Sequence, residues 1–347
     1  MNDPWPIAHP PTACLPDELS GALTALGEAG FRGAQLFAWI QKHGVTDVDG
    51  MTNLSKGLRA KLRAFDLQWP LEITEVHTAD DGTRKIQMAL KQGGRVETVL
   101  IPDGDKLTQC ISTQLGCGVG CIFCRSGHAG LKRNLSAAEI VGQIQLAKSA
   151  RFENERLRNV VFMGIGEPLH NMDATLRAVK LISHPSGIDL STRRVTVSTV
   201  GFVKGLDRLS KETRGEIALA VSLHAADDET RQRLVPHVPD KLADIIDALK
   251  RYPLPKRRRI TIEYVMLKGI NDSEADARQL VRLLSPLKVK VNLLPLNPHD
   301  KSPHRPPDDD QVERFRKILT DKGLSVFLRK RRGDDINAAC GQLLAVE

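Results

Sequence analysis

Residues 117–124 read CGVGCIFC, a run that sets Cys117, Cys121 and Cys124 in the spacing C-x3-C-x2-C. The chain has six cysteines, at 14, 110, 117, 121, 124 and 340, and four of them fall within 15 residues. A disulfide scaffold would be shorter and more evenly cross-linked, so the clustering points to metal or redox chemistry. Gly116, Gly118 and Gly120 let the backbone wrap tightly around the thiols. Three thiolates on one loop can hold three irons of a 4Fe-4S cluster, which ordinarily takes four cysteines. No fourth cysteine lies nearby, which leaves one iron open to a substrate or cofactor. The competing reading is a structural zinc site with His128 as fourth ligand, since Cys124-x3-His128 completes a sound Cys3His set.

Outward from this loop the sequence alternates between short apolar runs and helical stretches. The runs, rich in Val, Ile and Leu, fall at 108–114, 158–163, 194–199, 217–223, 260–266 and 288–294, with a seventh at 324–329. The clearest helix start is Ser136-x-x-Glu139, a capping box, followed by Ile140, Val141 and Ile144 on one face. Six βα units predict an α/β fold with a parallel sheet, wound open or closed as a barrel, over residues 108–330. Upstream, residues 70–107 change to strand-like patterning with turns at Asp80-Asp81-Gly82 and Gly93-Gly94, which predicts a short antiparallel sheet. Residues 17–69 predict a small helical module. Phe31, Leu36, Phe37 and Ile40 mark one face, and Leu54, Leu58, Leu62 and Phe65 mark another behind Asn53 as the cap. Residues 1–16, with five prolines, read as a loose arm, and 331–347 as a separate tail.

Composition narrows the function classes. Apolar residues make up 41% and charged residues 27%, which is ordinary globular usage and excludes fibres and disordered tracts. No run of 18 apolar residues predicts a membrane span, and the first residues lack the pattern of a secretory signal, so a cytoplasmic chain is expected. The 50 Lys and Arg against 42 Asp and Glu give a net charge of +8, which favours an anionic partner such as nucleic acid. Aromatics at 4% are too few for extended stacking on single strands. Lys256-Arg257-Arg258-Arg259 and Arg329-Lys330-Arg331-Arg332 form two basic tetrads. Such a run is usually a solvated face. The second leads into the Cys340 segment, where phosphate contact is expected, and Lys56, Arg59, Lys61 and Arg63 add charge to the helical module.

Polar or glycine residues recur at the carboxyl end of each predicted strand, where a barrel places its chemistry. They are the cysteine loop, Gly164-Ile165-Gly166-Glu167-Pro168, Ser198-Thr199, Ser222-Leu223-His224 and Asn297-Pro298. C-x3-C-x2-C with Phe123 before its last cysteine resembles the signature of radical S-adenosylmethionine (SAM) enzymes, which implies a partial (β/α)6 barrel. The longer text is similar to the RlmN/Cfr family of RNA adenine methyltransferases. The matching stretches are CISTQLGC (110–117), GLKRNL (130–135), FMGIGEPL (162–169), RRVTVST (193–199), VSLHA (221–225), MLKGIND (266–272) and GDDINAACGQL (333–343), and the likeness runs from about residue 20 to 344. Val200 and the short 301–307 loop depart from the commonest text of the family.

The resemblance implies a set of roles. Cys117, Cys121 and Cys124 hold the 4Fe-4S cluster, and SAM chelates the open iron. Gly166 and Glu167 contact its amino group, while Ser198, Ser222, Leu223, His224 and Asn297 line the rest of its site. Cys340 takes a methyl group from one SAM, and a second SAM yields the radical that activates this S-methyl group. The carbon then adds to an electron-poor adenine carbon that simple displacement cannot methylate. Glu97 is implied as the proton acceptor. Cys110 is implied to resolve the covalent adduct, leaving a Cys110–Cys340 disulfide to be reduced. The RlmN branch acts on C2 of adenosine in 23S rRNA, and in some members on tRNA. The Cfr branch acts on C8, and Arg332-Gly333-Asp334-Asp335 resembles RlmN. A flavodoxin-type electron donor is implied by the family alone. The target base must leave its stack to reach a buried radical. The sequence stops seven residues after Cys340, so no long RNA-contacting tail is expected. The rival from another class is a zinc-stabilised RNA-binding protein without catalysis.

Overall fold

The computed structural model describes residues 5–344, so the first four residues of the expected arm and the last three of the tail lie outside the described part. In chain order the strands are β1 (Leu71–Thr78), β2 (Arg84–Leu90), β3 (Arg95–Asp103), β4 (Lys106–Cys110), β5 (Gln114–Gly116), β6 (Leu131–Asn134), β7 (Arg156–Phe162), β8 (Val195–Thr199), β9 (Ala218–Ser222), β10 (Ile260–Met266), β11 (Val289–Pro295) and β12 (Ser325–Leu328). Ten of them form one sheet in the order β1-β2-β3-β4-β7-β8-β9-β10-β11-β12. From β4 to β12 every pairing is parallel, and β1 to β4 pair antiparallel. The sheet has two free edges, β1 and β12, so the α/β barrel is partial.

The strands of residues 70–107 therefore continue the barrel sheet. Their pattern predicts an antiparallel unit but carries no sign of where its last strand docks. The first predicted parallel strand also divides. β4 stops at Cys110, and β5 pairs with β6 in a separate two-stranded sheet. Between them the backbone bonds to the 161–165 turn instead: Ile111 and Thr113 donate to the carbonyls of Val161 and Ile165, and Gly164 donates to Ile111.

Helices Ala137–Leu146, Met172–Ser183, Val203–Thr213, Leu242–Arg251, Glu274–Leu284 and Asp309–Asp321 connect successive parallel strands. The capping box stands as read: Ser136 Oγ accepts from the Glu139 N–H at 3.2 Å, and Glu139 Oε2 from the Ser136 N–H at 2.8 Å. In the amino-terminal module the cap is Ser55, whose Oγ accepts from the Leu58 N–H at 3.2 Å. Asn53 lies two residues too early and instead accepts from the Trp39 indole at 2.6 Å. The module joins the barrel through one continuous core, in which Leu19, Phe37, Ile40 and Leu58 are buried with Ile144, Val179 and the sheet. Two polar ties reinforce the joint. Arg177 grips Glu18 with two bonds of 2.8 and 2.9 Å. Gln145 donates to the Gln41 carbonyl at 2.6 Å. Among the described residues no helix is long and apolar enough to cross a membrane.

Arg84 of β2 is buried, and its Nη2 donates to Glu155 Oε1 at 2.6 Å. Its guanidinium also lies over the Phe152 ring, 4.4 Å from the centroid. Burial raises the Glu155 pKa, but the Arg84 bond and the Phe152 N–H outweigh it, so the carboxyl titrates below its ordinary value. A depressed carboxylate adds stability above its unfolded pKa and loses it as pH falls through the folded value. Breaking such a buried pair leaves an uncompensated charge. Arg84→Ala is therefore expected to lower stability by about 3–5 kcal/mol in denaturant melts at pH 7, and Glu155→Gln to flatten the loss of stability below about pH 4.

Candidate active site

The carboxyl ends of the parallel strands open into one cavity. Cys117, Cys121 and Cys124 line it together with Gly166, Glu167, Ser198, Ser222, His224, Asn297 and Cys340. The structure thus brings ten of the thirteen sequence-predicted site residues to one place. Leu223, Glu97 and Cys110 are the others.

The cysteine loop is shaped by backbone contacts. Gly116 sits at φ +76, and a Cβ there would fall 1.8 Å from the Gly130 carbonyl oxygen. The thiols are free. Burial pushes the Cys117 pKa up to about 12 and the Cys121 and Cys124 values upward as well. Thiolates in such a place need cations beside them. Arg231 supplies one: it is buried, and Cys121 opposes the burial that lowers its pKa to about 10. Its guanidinium donates to the carbonyls of Leu223 and Val200, so it also ties together the chain just beyond β8 and β9. His128 does not line the cavity; its ring Nε2 pairs with the Ile122 carbonyl at 3.0 Å. The proposed fourth zinc ligand is thereby turned to another partner. Three thiols, an adjacent buried cation and an open cavity fit an iron–sulfur cluster with one uncommitted iron.

Glu167 is buried beside this loop. Oε1 accepts the Leu169 N–H and Oε2 the Val200 N–H, each at 2.9 Å, and its own N–H donates to Gln114 Oε1. Burial raises its pKa against these bonds. The Thr199 side chain is a third partner of the carboxylate, which still lines the cavity. Gly166, at φ +105, allows this approach: a Cβ would stand 2.6 Å from the Gln114 Cβ.

His224 is buried and sits at φ +63, a region that non-glycine residues seldom occupy. Its Nδ1 accepts the Val265 N–H at 3.1 Å, and its ring meets Phe123 edge-on at 4.8 Å. Burial, with help from Arg231, lowers its pKa to about 3. The ring is neutral near pH 7, with its proton on Nε2. Leu223, expected in the same lining, packs its side chain into the core, and only its backbone reaches the site's scaffold. Strand alternation sends it to the opposite face from Ser222.

The tail folds across the cavity. Asn297 Nδ2 donates to the Cys340 carbonyl at 3.0 Å. The Arg125 N–H holds the Gly341 carbonyl at 2.7 Å, and Ser126 Oγ holds that of Leu343 at 2.7 Å. Glu97 lies off the cavity wall: Oε2 accepts the Leu344 N–H at 2.9 Å and Oε1 faces Lys85 at 3.5 Å. Cys110 also lies behind the wall, and burial followed by the neighbouring Cys340 pushes its pKa up to about 12. Arg329, just past β12, faces Cys340, Glu263 and Cys110, and the Cys340 sulfur does most to hold it charged.

Glu263 is a site residue that the sequence reading missed. It lines the cavity from β10, and Asn292 Nδ2 donates to Oε1 at 3.0 Å. Its Oε2 is buried with no hydrogen-bond partner among the described residues, as is Asn297 Oδ1. Two unmet acceptors on one wall suit a ligand rich in N–H and O–H donors, as SAM is. A lone acidic residue inside the apolar strand ITIEYVM was the available signal.

Three comparisons bear on this site. Residues 111–281 match the family model described as "Radical SAM superfamily", and residues 16–66 the one described as "Ribosomal RNA large subunit methyltransferase N-terminal domain". The chain is 48% identical to the Dual-specificity RNA methyltransferase RlmN of Sorangium cellulosum, covering 96% of this chain and 95% of the other. It is 44% identical to the protein of that name from Geobacter sulfurreducens, covering 94% and 89%. A crystal structure of a radical SAM methyltransferase from Sphaerobacter thermophilus superposes with a TM-score of 0.91 at 41% identity, covering 97% and 99% of the two chains.

Two outcomes follow from the geometry. The His224 ring should stay neutral and Nε2-protonated from pH 5 to 8, which imidazole 15N shifts will report; an ordinary histidine would titrate near 6.5. Asn297→Ala should free the Cys340 carbonyl and raise hydrogen exchange across residues 338–343 in mass spectrometry, with exchange in β10 and β11 unchanged.

Proposed function

The chain belongs to the RlmN family of radical SAM methyltransferases, and from that premise we propose the assignment of its residues to steps. The reaction is methylation of C2 of adenosine in 23S rRNA and tRNA, a reading supported by relatives that are named dual-specificity RNA methyltransferases. The relatives favour neither C8 methylation nor a zinc-stabilised binding protein. The observation that carries the residue assignment is the position of Cys340, which lines the same cavity as the three loop cysteines and Glu167.

Cys117, Cys121 and Cys124 would hold the 4Fe-4S cluster, with Arg231 offsetting its negative charge. When bound, the cluster supplies the single electron with which a radical SAM enzyme cleaves SAM. Glu167 accepts from the SAM amino group. Gly166, Ser198, Ser222, the neutral His224 and Asn297 shape the rest of that pocket, the Nε2–H of His224 donating and Asn297 Oδ1 accepting. Leu223 contributes through its backbone.

Cys340 is the methyl acceptor, and two SAM molecules serve each turnover. Asn297 fixes its backbone and Arg329 faces its sulfur, which attacks the methyl carbon of SAM and displaces S-adenosylhomocysteine. Cys110 then attacks the Cys340 sulfur of the S–CH2 adduct: the S–S bond forms as the S–CH2 bond breaks, the electron pair goes to the carbon, which takes up a proton to become the methyl group, and an external thiol reduces the disulfide. The buried, protonated thiol of Cys110 cannot act early. Glu97 takes the proton from the adenine carbon; it does not line the cavity in this arrangement and holds the Leu344 N–H, so the tail beside it must shift before the base can reach it. A flavodoxin-type donor and a cytoplasmic setting complete the proposal.

Mass spectrometry of nucleosides tests it. RNA from cells lacking the gene should lose 2-methyladenosine in both 23S rRNA and tRNA. Wild type should restore it, and Cys340→Ala should not. Cys110→Ala should instead trap enzyme joined covalently to RNA, visible as a shifted band that ribonuclease shortens. Loss of 8-methyladenosine in place of 2-methyladenosine would overturn the regiochemistry, and restoration by Cys340→Ala would overturn its role as methyl carrier.

A further inference from the structure

The tetrad Lys256-Arg257-Arg258-Arg259 takes no part in the site described above. It lies just ahead of β10, at the amino ends of the parallel strands, whereas the cavity is at their carboxyl ends. With Lys288, ahead of β11, and Lys322, ahead of β12, it lines a groove of about 750 Å³ whose lining, among the described residues, includes no acidic side chain. The groove has an apolar floor that includes the buried Leu284 and Val289.

Two of the six cations are fastened in place. Arg258 Nη1 donates to the Glu216 carbonyl at 2.5 Å, and Arg259 Nη1 donates to Ser325 Oγ. The other four, Lys256, Arg257, Lys288 and Lys322, are exposed, and among the described residues none is paired with a carboxylate. Arg257 is moreover held at φ +66, a conformation that non-glycine residues seldom adopt. A concave surface of like charges with no counter-charge of its own is an electrostatic footprint for an anion.

The second tetrad, Arg329 to Arg332, starts at the other end of β12 and lines a small cavity that includes Cys340. β12 is a free edge of the sheet. Between the two tetrads Lys290 of β11 stands 5.9 Å from the ring of Phe327, which is exposed on β12. At about 3.3 Å per residue, β11 separates the two ends by roughly 20 Å. Basic side chains therefore run along the open edge from the mouth of the site to the groove.

We propose that this groove binds the phosphate backbone of the substrate RNA, about 20 Å from the target adenosine. The inference rests on the RNA methyltransferase reading. It adds a surface that contributes affinity without reading sequence. RNA fits better than an acidic protein because basic side chains, some of them ion-paired as Arg331 is with Asp334 and Arg332 with Asp81, continue from the groove to the cavity that holds Cys340.

The test compares wild type with the variant K256Q/R257Q/K288Q/K322Q. Binding of a full-length tRNA transcript and of a short stem-loop holding the target adenosine is measured over a range of salt. Each phosphate contact contributes about 0.7–0.9 to the slope of log K against log salt. For tRNA the variant's slope should fall by roughly 2 to 3, with KM raised several-fold. The short stem-loop should bind both proteins alike, because it ends before the groove. Equal melting curves will show that the fold is intact. A wild-type slope on tRNA overturns the inference, and so does an equal loss on both RNAs, which would mark a general change of field. Slower reduction of the cluster by an acidic flavodoxin-type donor, with tRNA binding intact, would reassign the groove to a protein and also overturn it. If wild type binds neither RNA, the RNA reading itself falls, a result distinct from each of these.

Discussion

The site depends on one buried stretch of backbone, residues 111–114, where the chain has left the sheet but not yet reached the cysteine loop. Almost every polar group there is matched. Ser112 Oγ donates to the Glu97 carbonyl at 2.7 Å and accepts the Ile165 N–H at 2.9 Å. The Gln143 amide meets both the Ser112 N–H and its carbonyl, at 2.8 and 2.9 Å. Asn171 donates to the Thr113 and Leu135 carbonyls, and Gln114 receives the Glu167 N–H. In low dielectric such a network is rigid when complete and costly when a member is lost. It links β3, β5, the Glu167 turn and two helices, so the proposed SAM-binding residues and the proposed base share one frame.

That frame explains why the glycines of the Gly164-Ile165-Gly166 turn cannot carry side chains. The turn lies directly on residues 111–114, and a Cβ on Gly164 would come within 2.7 Å of the Ile111 carbonyl oxygen. Close packing delivers the Glu167 carboxylate to the cavity at a fixed height, with two backbone donors already holding it. Arg231 does the equivalent work beyond β8 and β9, as a buried cation fastening two carbonyls beside the cysteine loop. The cavity wall is thus set by polar groups that reach across loops, over a core of strands that are almost wholly apolar.

The parallel strands and their polar carboxyl ends were legible in the sequence because period and position carry both. Short Val- and Ile-rich runs locate buried strands, and chemistry collects where they end. What escaped depends on partners far along the chain. The division of the 108–114 run follows from bonds to residues 161–165, which no local pattern announces. The shift of the cap from Asn53 to Ser55 turns on a bond to Trp39, itself a matter of packing. Leu223 sits between two cavity residues in sequence, yet strand alternation points it into the core. Glu263 is the opposite case: its charge inside an apolar strand was visible, but only the fold shows that it faces the cavity with an oxygen unmet. Glu97 and Cys110, taken from the family likeness, stand behind the wall in this closed arrangement.

The contrast between barrel and tail bears on how the two kinds of chemistry coexist. The barrel groups are fixed by interlocking buried bonds. The Cys340 segment has no regular secondary structure among residues 331–344 and is held by separate bonds, to Asn297, Arg125, Ser126, Glu97, Pro298 and the Asp80-Asp81 turn among others, with Ala338 and Leu343 set into the core. A net contribution of about 1 kcal/mol per bond lets such a segment open without disturbing the sheet. The proposed methyl carrier would have to meet SAM, then RNA, then a resolving thiol, and no single rigid position serves all three. Under that proposal, a precisely built cavity beside a segment without regular secondary structure would meet both demands: the radical would be generated in a fixed frame, and the group that carries the carbon could move.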